Sequence, residues 1–149
     1  MSLTGAEQVD RREDGALGYD YRRVCACGFD EAVASVEAAL GRHGFAVSAM
    51  HDIQATLAAK GFAIQPIRIY EVRGQSPASG SAGTLEDETG SRLARLMPCR
   101  INIFVEDESV VVTALRPTLL CKVFPEEDLG EIAAAIERVL VAVVDEAAG

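Results

Sequence analysis

The chain has 149 residues, of which 49% are apolar and 25% charged, and its net charge is −9. This composition is typical of a globular protein with a hydrophobic core of its own. The negative charge disfavours a nucleic-acid partner, because that kind of binding depends on lysines and arginines that neutralise phosphates. A run of about 18 or more apolar residues is absent, which disfavours a membrane partner and a membrane span.

The first segment, residues 1–17, is polar and lacks an apolar period. We therefore predict a flexible N-terminal arm at 1–17 and a single α+β domain at 18–149. The arm has no apolar stretch of the secretory kind, so we expect a cytoplasmic protein whose four cysteines are reduced thiols. Only two of the 14 basic residues are lysines and alanine is abundant, which is typical of a GC-rich bacterial genome.

Apolar periodicity then predicts strands and helices in alternation. In the first helix, apolar residues recur every three or four positions, and acidic residues occupy its first turn. Asp52 has the position of a helix cap. The elements predicted in this half are a strand at 19–27, a helix at 29–44, a strand at 45–50, a short helix at 52–60 and a strand at 67–72.

The second half begins with a Gly/Ser-rich stretch, for which we predict a flexible loop at 75–83 and a partly helical segment at 84–96. Alternating residues predict a hairpin of two strands, 99–106 and 109–115, joined by a turn at Asp107 and Glu108. The strongest helical stripe follows at 129–144. The predicted fold class is α+β: an antiparallel sheet of about five strands with two main helices packed on it, in the order β-α-β-(α)-β-β-β-α.

Three stretches in this order resemble one family, the bacterial and archaeal domain of unknown function 302 (DUF302). FDEAV at 29–33 with GF at 44–45 is similar to its FEEAV…GF, and DIQATL at 52–57 with PIRI at 66–69 is similar to its DxxATL…RPYRI. LMPCRI at 96–101 is similar to its LLPCNV. The similarity covers residues 19–147, and it implies a fold like that of the TATA-box-binding protein, a homodimer and no particular activity. This chain has Gln-Ser-Pro at 75–77 where the family has a Cys-Asn-Pro-like turn.

The paired cysteines are one candidate for chemistry. Cys25 and Cys27 lie two residues apart on a predicted strand, so their side chains face the same side. Such a pair can share a soft metal ion or form a redox couple. The alternative is that both pack as small apolar residues, and we favour this alternative.

Cys99 is the second candidate, and it matches the family's cysteine at the entrance of the fourth strand. Its thiol would react readily if Arg95 or Arg100 lowered its pKa at the edge of a pocket. The alternative, which we favour, is a buried cysteine that packs against the first helix. Cys121 follows two leucines and is predicted to lie in the core.

His51 ends the second predicted strand and adjoins Asp52, a carboxylate that can orient an imidazole. A surface or capping role is the simpler interpretation, and we favour it. The chain has no nucleophile elbow, phosphate-binding loop or zinc-type cysteine pattern, so we predict no metal ion and can name no cofactor. The candidate ligand-binding residues are Cys99, Arg100, His51, Cys25 and Cys27.

Three functions remain open, and the sequence does not decide whether the protein is an enzyme. The first is a homodimeric, non-catalytic module that binds a small molecule or a partner. The second is a thiol-dependent enzyme or sulfur-handling protein that uses Cys99, and the third is a structural or regulatory interaction domain. We favour the first, and we expect a homodimer because Val141, Val143 and Val144 extend the apolar surface of the last helix beyond one stripe.

Overall fold

The computed structural model describes residues 18–74, 99–123 and 130–149. Its nine elements follow the order strand, helix, strand, helix, three strands and two helices. They are β1 (Asp20–Cys25), α1 (Phe29–Arg42), β2 (Phe45–Asp52), α2 (Ile53–Ala58), β3 (Ile67–Gly74), β4 (Cys99–Glu106), β5 (Ser109–Leu115), α3 (Thr118–Val123) and α4 (Gly130–Ala148).

The five strands form one antiparallel sheet in the order β1-β5-β4-β3-β2. The strand after α1 does not pair with β1 but goes to the opposite edge, so β1 and β2 are the two edge strands. A register shift between Val47 and Ala49 marks a bulge in β2, where the Ser48 hydroxyl donates to the carbonyl oxygen of Glu71 at 3.0 Å. Such bulges are common in edge strands.

The core lies between one face of the sheet and the long helices α1 and α4. Side chains alternate along each strand, so that Ile101 and Ile103 of β4 face the helices and are fully buried. Tyrosine hydroxyls form hydrogen bonds between the layers. The Tyr70 hydroxyl donates to Glu37 of α1 at 2.8 Å, and the Tyr21 hydroxyl donates to Asp145 of α4 at 2.6 Å.

Local sequence signals fix several boundaries. The Asp52 carboxylate accepts from the backbone N–H of Ala55 at 2.9 Å, which confirms the predicted cap of α2. Gly44 lies between α1 and β2 with φ 79°, a left-handed conformation that glycine adopts without strain. Asp107 and Glu108 form the β4–β5 turn with φ values of 51° and 66°.

The α+β fold class is confirmed, although several element boundaries differ from the predicted ones. The structure adds α3, which was not predicted from the sequence, and it extends the last helix from 144 to Ala148.

Three predicted segments lie outside the described residues: the arm at 1–17, the loop at 75–83 and the helical segment at 84–96. In the ranges that the structure describes, every helix is too short or too polar to cross a membrane.

The surplus apolar face expected on α4 is not a free surface. Val143 and Val144 have no exposed area within the single chain, because they pack into its core, and Val141 is half-buried. The apolar residues of α4 are therefore no reason to expect a homodimer. The homodimer itself stays a prediction.

Candidate functional site

The face of the sheet opposite the long helices α1 and α4 is here called the open face. It carries a mixed set of side chains, of which Val111 and Thr113 are buried. Strand register places them in rows that run across the sheet. The central row is polar at both ends, and on β1, β5, β4, β3 and β2 it contains Arg22, Thr113, Asn102, Ile69 and His51.

The rows on either side of the central row differ in character. One side row is wholly apolar and contains Val24, Val111, Phe104 and Ile67. The other pairs Arg100 of β4 with Glu71 of β3. The open face therefore changes from apolar to charged over the width of three rows.

A cavity of about 330 Å³ lies on this face. Its apolar lining comes from Ile67, Ile69 and Phe104, and arginines lie among its polar residues. The lining residues are Tyr19, Asp20, Arg22, Ile67, Ile69, Arg100, Asn102, Phe104, Glu106 and Thr113. Four of the five strands contribute, so only the folded sheet brings these residues together.

Arg100 is the distinctive polar group of the cavity. It lies on β4 between Cys99 and Ile101, which both face the core, so alternation turns Arg100 to the open face. Its Nε atom is buried and finds no hydrogen-bond acceptor among the residues that the structure describes. A buried, unsatisfied donor of this kind costs about 1–3 kcal/mol, so an incoming acceptor would relieve that cost.

Two other polar groups of the cavity are held in place by neighbours. Arg22 donates to Glu106 at 3.0 Å, and its side chain is 22% exposed. The Asn102 amide nitrogen donates to the Thr113 hydroxyl at 3.2 Å, which orients the amide. These contacts fix the side chains before any ligand arrives, which lowers the entropic cost of binding.

His51 lies on the open face beyond the cavity lining. Its Nε2 is 3.5 Å from a carboxylate oxygen of Glu71 on β3. Asp52, which the sequence suggested as the orienting carboxylate, points to the other face, caps α2 and lies 3.8 Å from Arg68. The carboxylate next to His51 is therefore that of Glu71 on the neighbouring strand, and not that of Asp52 as the sequence suggested.

Cys99 is buried on the helix-facing side of β4 and is 7% exposed. Burial raises the pKa of its thiol to about 12, because a thiolate loses its hydration there. The lowered pKa expected from Arg95 or Arg100 is therefore wrong: Arg100 faces the opposite side, and Arg95 lies outside the described residues. Cys99 does not belong to the cavity.

Cys25 and Cys27 are joined by a disulfide at the end of β1. The expectation of four reduced thiols is wrong for these two. They lie apart from the cavity. The disulfide is at the connection between β1 and α1, close to the end of α4.

The side chain of Cys121 lies outside the described residues. Where the chain is described, no group of three or more His, Cys, Asp or Glu residues is placed to hold a metal ion.

Of the five candidate residues, Arg100 lies in the cavity and His51 lies beside it on the same face. Three residues of the cavity were not among the candidates predicted from the sequence: Arg22, Asn102 and Phe104. The alternation of β4 carried the signal for Asn102 and Phe104, since both lie on the opposite side of the strand from its isoleucines. The position of Arg22 depended on the pairing of β1 with β5, which joins residues about 90 positions apart and leaves no local signal.

Comparison with known proteins agrees with this architecture. The family described as "Domain of unknown function DUF302" matches residues 21–147. A crystal structure of an uncharacterized conserved DUF302 protein from Bacillus stearothermophilus is similar to the chain, with a TM-score of 0.73 and 26% identity. That similarity covers 87% of this chain and 98% of the other. No curated protein matches the chain. The protein belongs to the DUF302 family.

Proposed function

We propose that the protein is a homodimeric, non-catalytic binding module whose open-face cavity holds a small amphipathic carboxylate. The observation that carries this proposal is the buried Nε of Arg100, which has no acceptor in the described structure and lines a cavity with an apolar side. A guanidinium binds a carboxylate through paired hydrogen bonds, and such charge-assisted bonds are stronger than neutral ones.

The size and lining of the cavity fit this class of ligand. Its volume of about 330 Å³ lies at the small end of the range for ligand pockets, roughly 300–1,000 Å³. Phe104 and Ile67 offer a surface for a hydrocarbon or aromatic body. Arg100 and Asn102 lie on neighbouring rows, where they can bind a polar head group.

The net charge of −9 does not exclude an anionic ligand. Charges at the surface are screened beyond about 8 Å at physiological salt, so nearby groups decide the local potential. Near the cavity, Arg22 is paired with Glu106, and Glu71 lies close to His51 and opposite Arg100 in the sheet. Asp20 is a further acidic residue of the lining. Arg100 is therefore the residue on which recognition of an anion depends.

The thiol-enzyme alternative has less support. Cys99 is buried on the face opposite the cavity, and its raised pKa keeps it protonated at neutral pH. A nucleophilic cysteine needs a thiolate and access to substrate. The alternative of a structural or regulatory interaction domain requires no ligand, and it differs from our proposal in that respect.

The homodimer in this proposal is supported by apolar side chains on and near edge strand β2. Val47 and Met50 of β2 are 44% and 45% exposed, and Phe62, which follows α2, is 62% exposed. Apolar patches at the surface often mark a contact with a partner, and we propose that these side chains contribute to one. We also propose a cytoplasmic location and a bacterial origin, of which the alanine-rich, lysine-poor composition supports only the second.

Native mass spectrometry of the purified protein tests the binding function without a guess about the ligand. We expect a retained small molecule on the wild type, and a much smaller fraction of loaded protein for Arg100→Gln. The matched control is Arg138→Gln, which removes an exposed arginine of α4 far from the cavity in the fold. Equal loading of Arg100→Gln and the wild type would contradict the proposal. An empty wild type that also stays empty after incubation with octanoate would favour the interaction domain.

A further inference from the structure

We propose that the Cys25–Cys27 disulfide is a reversible redox site that exchanges with low-molecular-weight thiols. The site lies at the junction of β1 and α1, and it shares no residue with the open-face cavity. It is therefore independent of the proposed ligand-binding function.

The two sulfurs differ in access. Cys25 is 5% exposed and belongs to the core, whereas Cys27 is half-buried at its edge. Thiol–disulfide exchange needs a thiolate that reaches one sulfur in line with the bond, so access decides which sulfur is attacked. Cys27 is the sulfur that a small thiol reaches first, and Cys25 is the leaving group.

The exchange balances with two thiol molecules and two electrons. The thiolate of a first thiol attacks Sγ of Cys27, the Cys25–Cys27 bond breaks, and Cys25 leaves as a thiolate that takes up a proton. A second thiol then attacks the external sulfur of the mixed disulfide at Cys27. The products are the Cys25–Cys27 dithiol and the oxidised form of the small thiol, and the reverse sequence restores the disulfide.

The surroundings suit both redox states. The Cα atoms of the pair are 5.4 Å apart, within the usual range for a disulfide. In the reduced state Cys25 has an acceptor in place, because its Sγ lies 3.8 Å from the carbonyl oxygen of Ala147. Reduction therefore gives the buried thiol a hydrogen-bond partner without movement of α4.

A purely structural role suits this disulfide poorly. Disulfides stabilise proteins mainly by closing long loops in the unfolded chain, and the effect falls as the loop shortens. Cys25 and Cys27 are separated by a single residue, so the bond closes nearly the smallest loop available. Its reduction is thus expected to leave the fold intact, as a reversible redox site requires.

The test is a redox titration of the native protein in glutathione buffers, with trapping of free thiols by iodoacetamide and peptide mass analysis. We expect Cys25 and Cys27 to change state together and reversibly, while the circular dichroism spectrum stays constant. Two variants compare how fast each of the two sulfurs is modified. Oxidised glutathione should modify Cys27 in Cys25→Ala ~tenfold or more faster than it modifies Cys25 in Cys27→Ala, because access controls the rate.

The other outcomes overturn the proposal or its assignment of the attacked sulfur. A disulfide that resists dithiothreitol until the protein is unfolded would be structural, and a pair that oxidised glutathione never closes would be two packed thiols. Equal rates for the two variants would contradict the assignment of Cys27 as the attacked sulfur. If the variants do not fold, the titration of the wild type decides alone. Arg100→Gln should titrate as the wild type does, because the two sites are independent.

Discussion

Cys99 and Arg100 are neighbours in the chain but belong to different environments. The alternation of β4 places the thiol in the helix-covered core and the guanidinium at the cavity on the open face. Burial raises the pKa of the thiol and keeps it protonated. Burial leaves the Nε atom of the arginine without a hydrogen-bond acceptor among the described residues. In the function that we propose, the arginine is therefore the acting group of this pair.

Burial of Cys99 has a consequence for stability at alkaline pH. Its pKa is about 12 in the folded protein, above the value near 9 of an exposed thiol, so the folded state holds the proton more tightly. Above pH 9 the unfolded state binds fewer protons than the folded one, and the free energy of unfolding falls as pH rises. The stabilising contribution is complete below pH 9 and is lost towards pH 12.

We therefore expect Cys99→Ala to be less sensitive to alkali than the wild type. Between pH 8 and pH 10 the wild type should lose about 1.4 kcal/mol more unfolding free energy than the variant does. Urea unfolding at both pH values measures the difference. Burial also raises the pKa of Tyr21 and Tyr70, but these residues act equally in both proteins and cancel. Parallel pH profiles would contradict the burial of Cys99.

At the scale of elements, the β4–β5 turn is held in a conformation that its residues do not favour. Both Asp107 and Glu108 have positive φ, as a two-residue turn of type I′ requires. Aspartate tolerates the left-handed region, whereas glutamate is seldom found there. Strain in this hairpin is therefore concentrated at Glu108.

Replacement of Glu108 by glycine should stabilise the protein. The relief of strain exceeds the entropic cost of glycine, so we expect a gain of about 0.5–1 kcal/mol in unfolding free energy. Asp107→Gly is the matched control and should give a smaller gain. Thermal unfolding of both variants measures the effect. A loss of stability in Glu108→Gly would show that the side chain makes a contact that outweighs its backbone strain.

The junction of α3 and α4 depends on one carboxylate. Glu137 of α4 accepts from the Thr118 hydroxyl at 2.6 Å and from its backbone N–H at 3.2 Å. It also forms an ion pair with Arg116 at 3.3 Å, in which the two side chains are only 13% and 16% exposed. The start of α3 is thus satisfied by a residue of another helix.

Glu137→Ala should therefore destabilise the protein by about 3 kcal/mol, because it leaves a poorly hydrated arginine and an uncapped helix start. Glu131→Ala removes an exposed glutamate of the same helix and should change stability by less than about 1 kcal/mol. Chemical denaturation compares the two. A similar small effect for both variants would mean that the α3–α4 junction is not held by Glu137.

The same junction shows where sequence patterns stop being informative. The helical period of α1, the alternation of β4 and the Asp52 cap are local signals, and they predicted those elements. The start of α3 depends on Glu137, 19 positions away, and no local pattern marks that partner. The cavity depends on strand order, which the sequence analysis did not specify. Its central residues could therefore be placed on strands but not grouped into a site.

At the scale of the whole molecule, the homodimer that we propose would use surfaces other than the last helix. We expect light scattering after size exclusion to give twice 15.8 kDa, and we expect Met50→Glu to shift the protein towards the monomer. A charge on this edge strand would be costly to bury in an apolar interface. Val24→Glu is the control, since Val24 is 55% exposed on the other edge strand. A monomeric wild type at tens of micromolar would contradict the homodimer.

The proposal as a whole depends on the position and chemistry of the open-face cavity. The most direct measurement is an NMR titration of the amide signals with octanoate, and with octanol as a neutral ligand of the same length. We expect saturable shifts for residues such as Ile69, Asn102 and Thr113 with octanoate, weaker shifts with octanol, and loss of the octanoate response in Arg100→Gln. Shifts confined to other surfaces, or equal responses of the wild type and Arg100→Gln, would contradict the proposal.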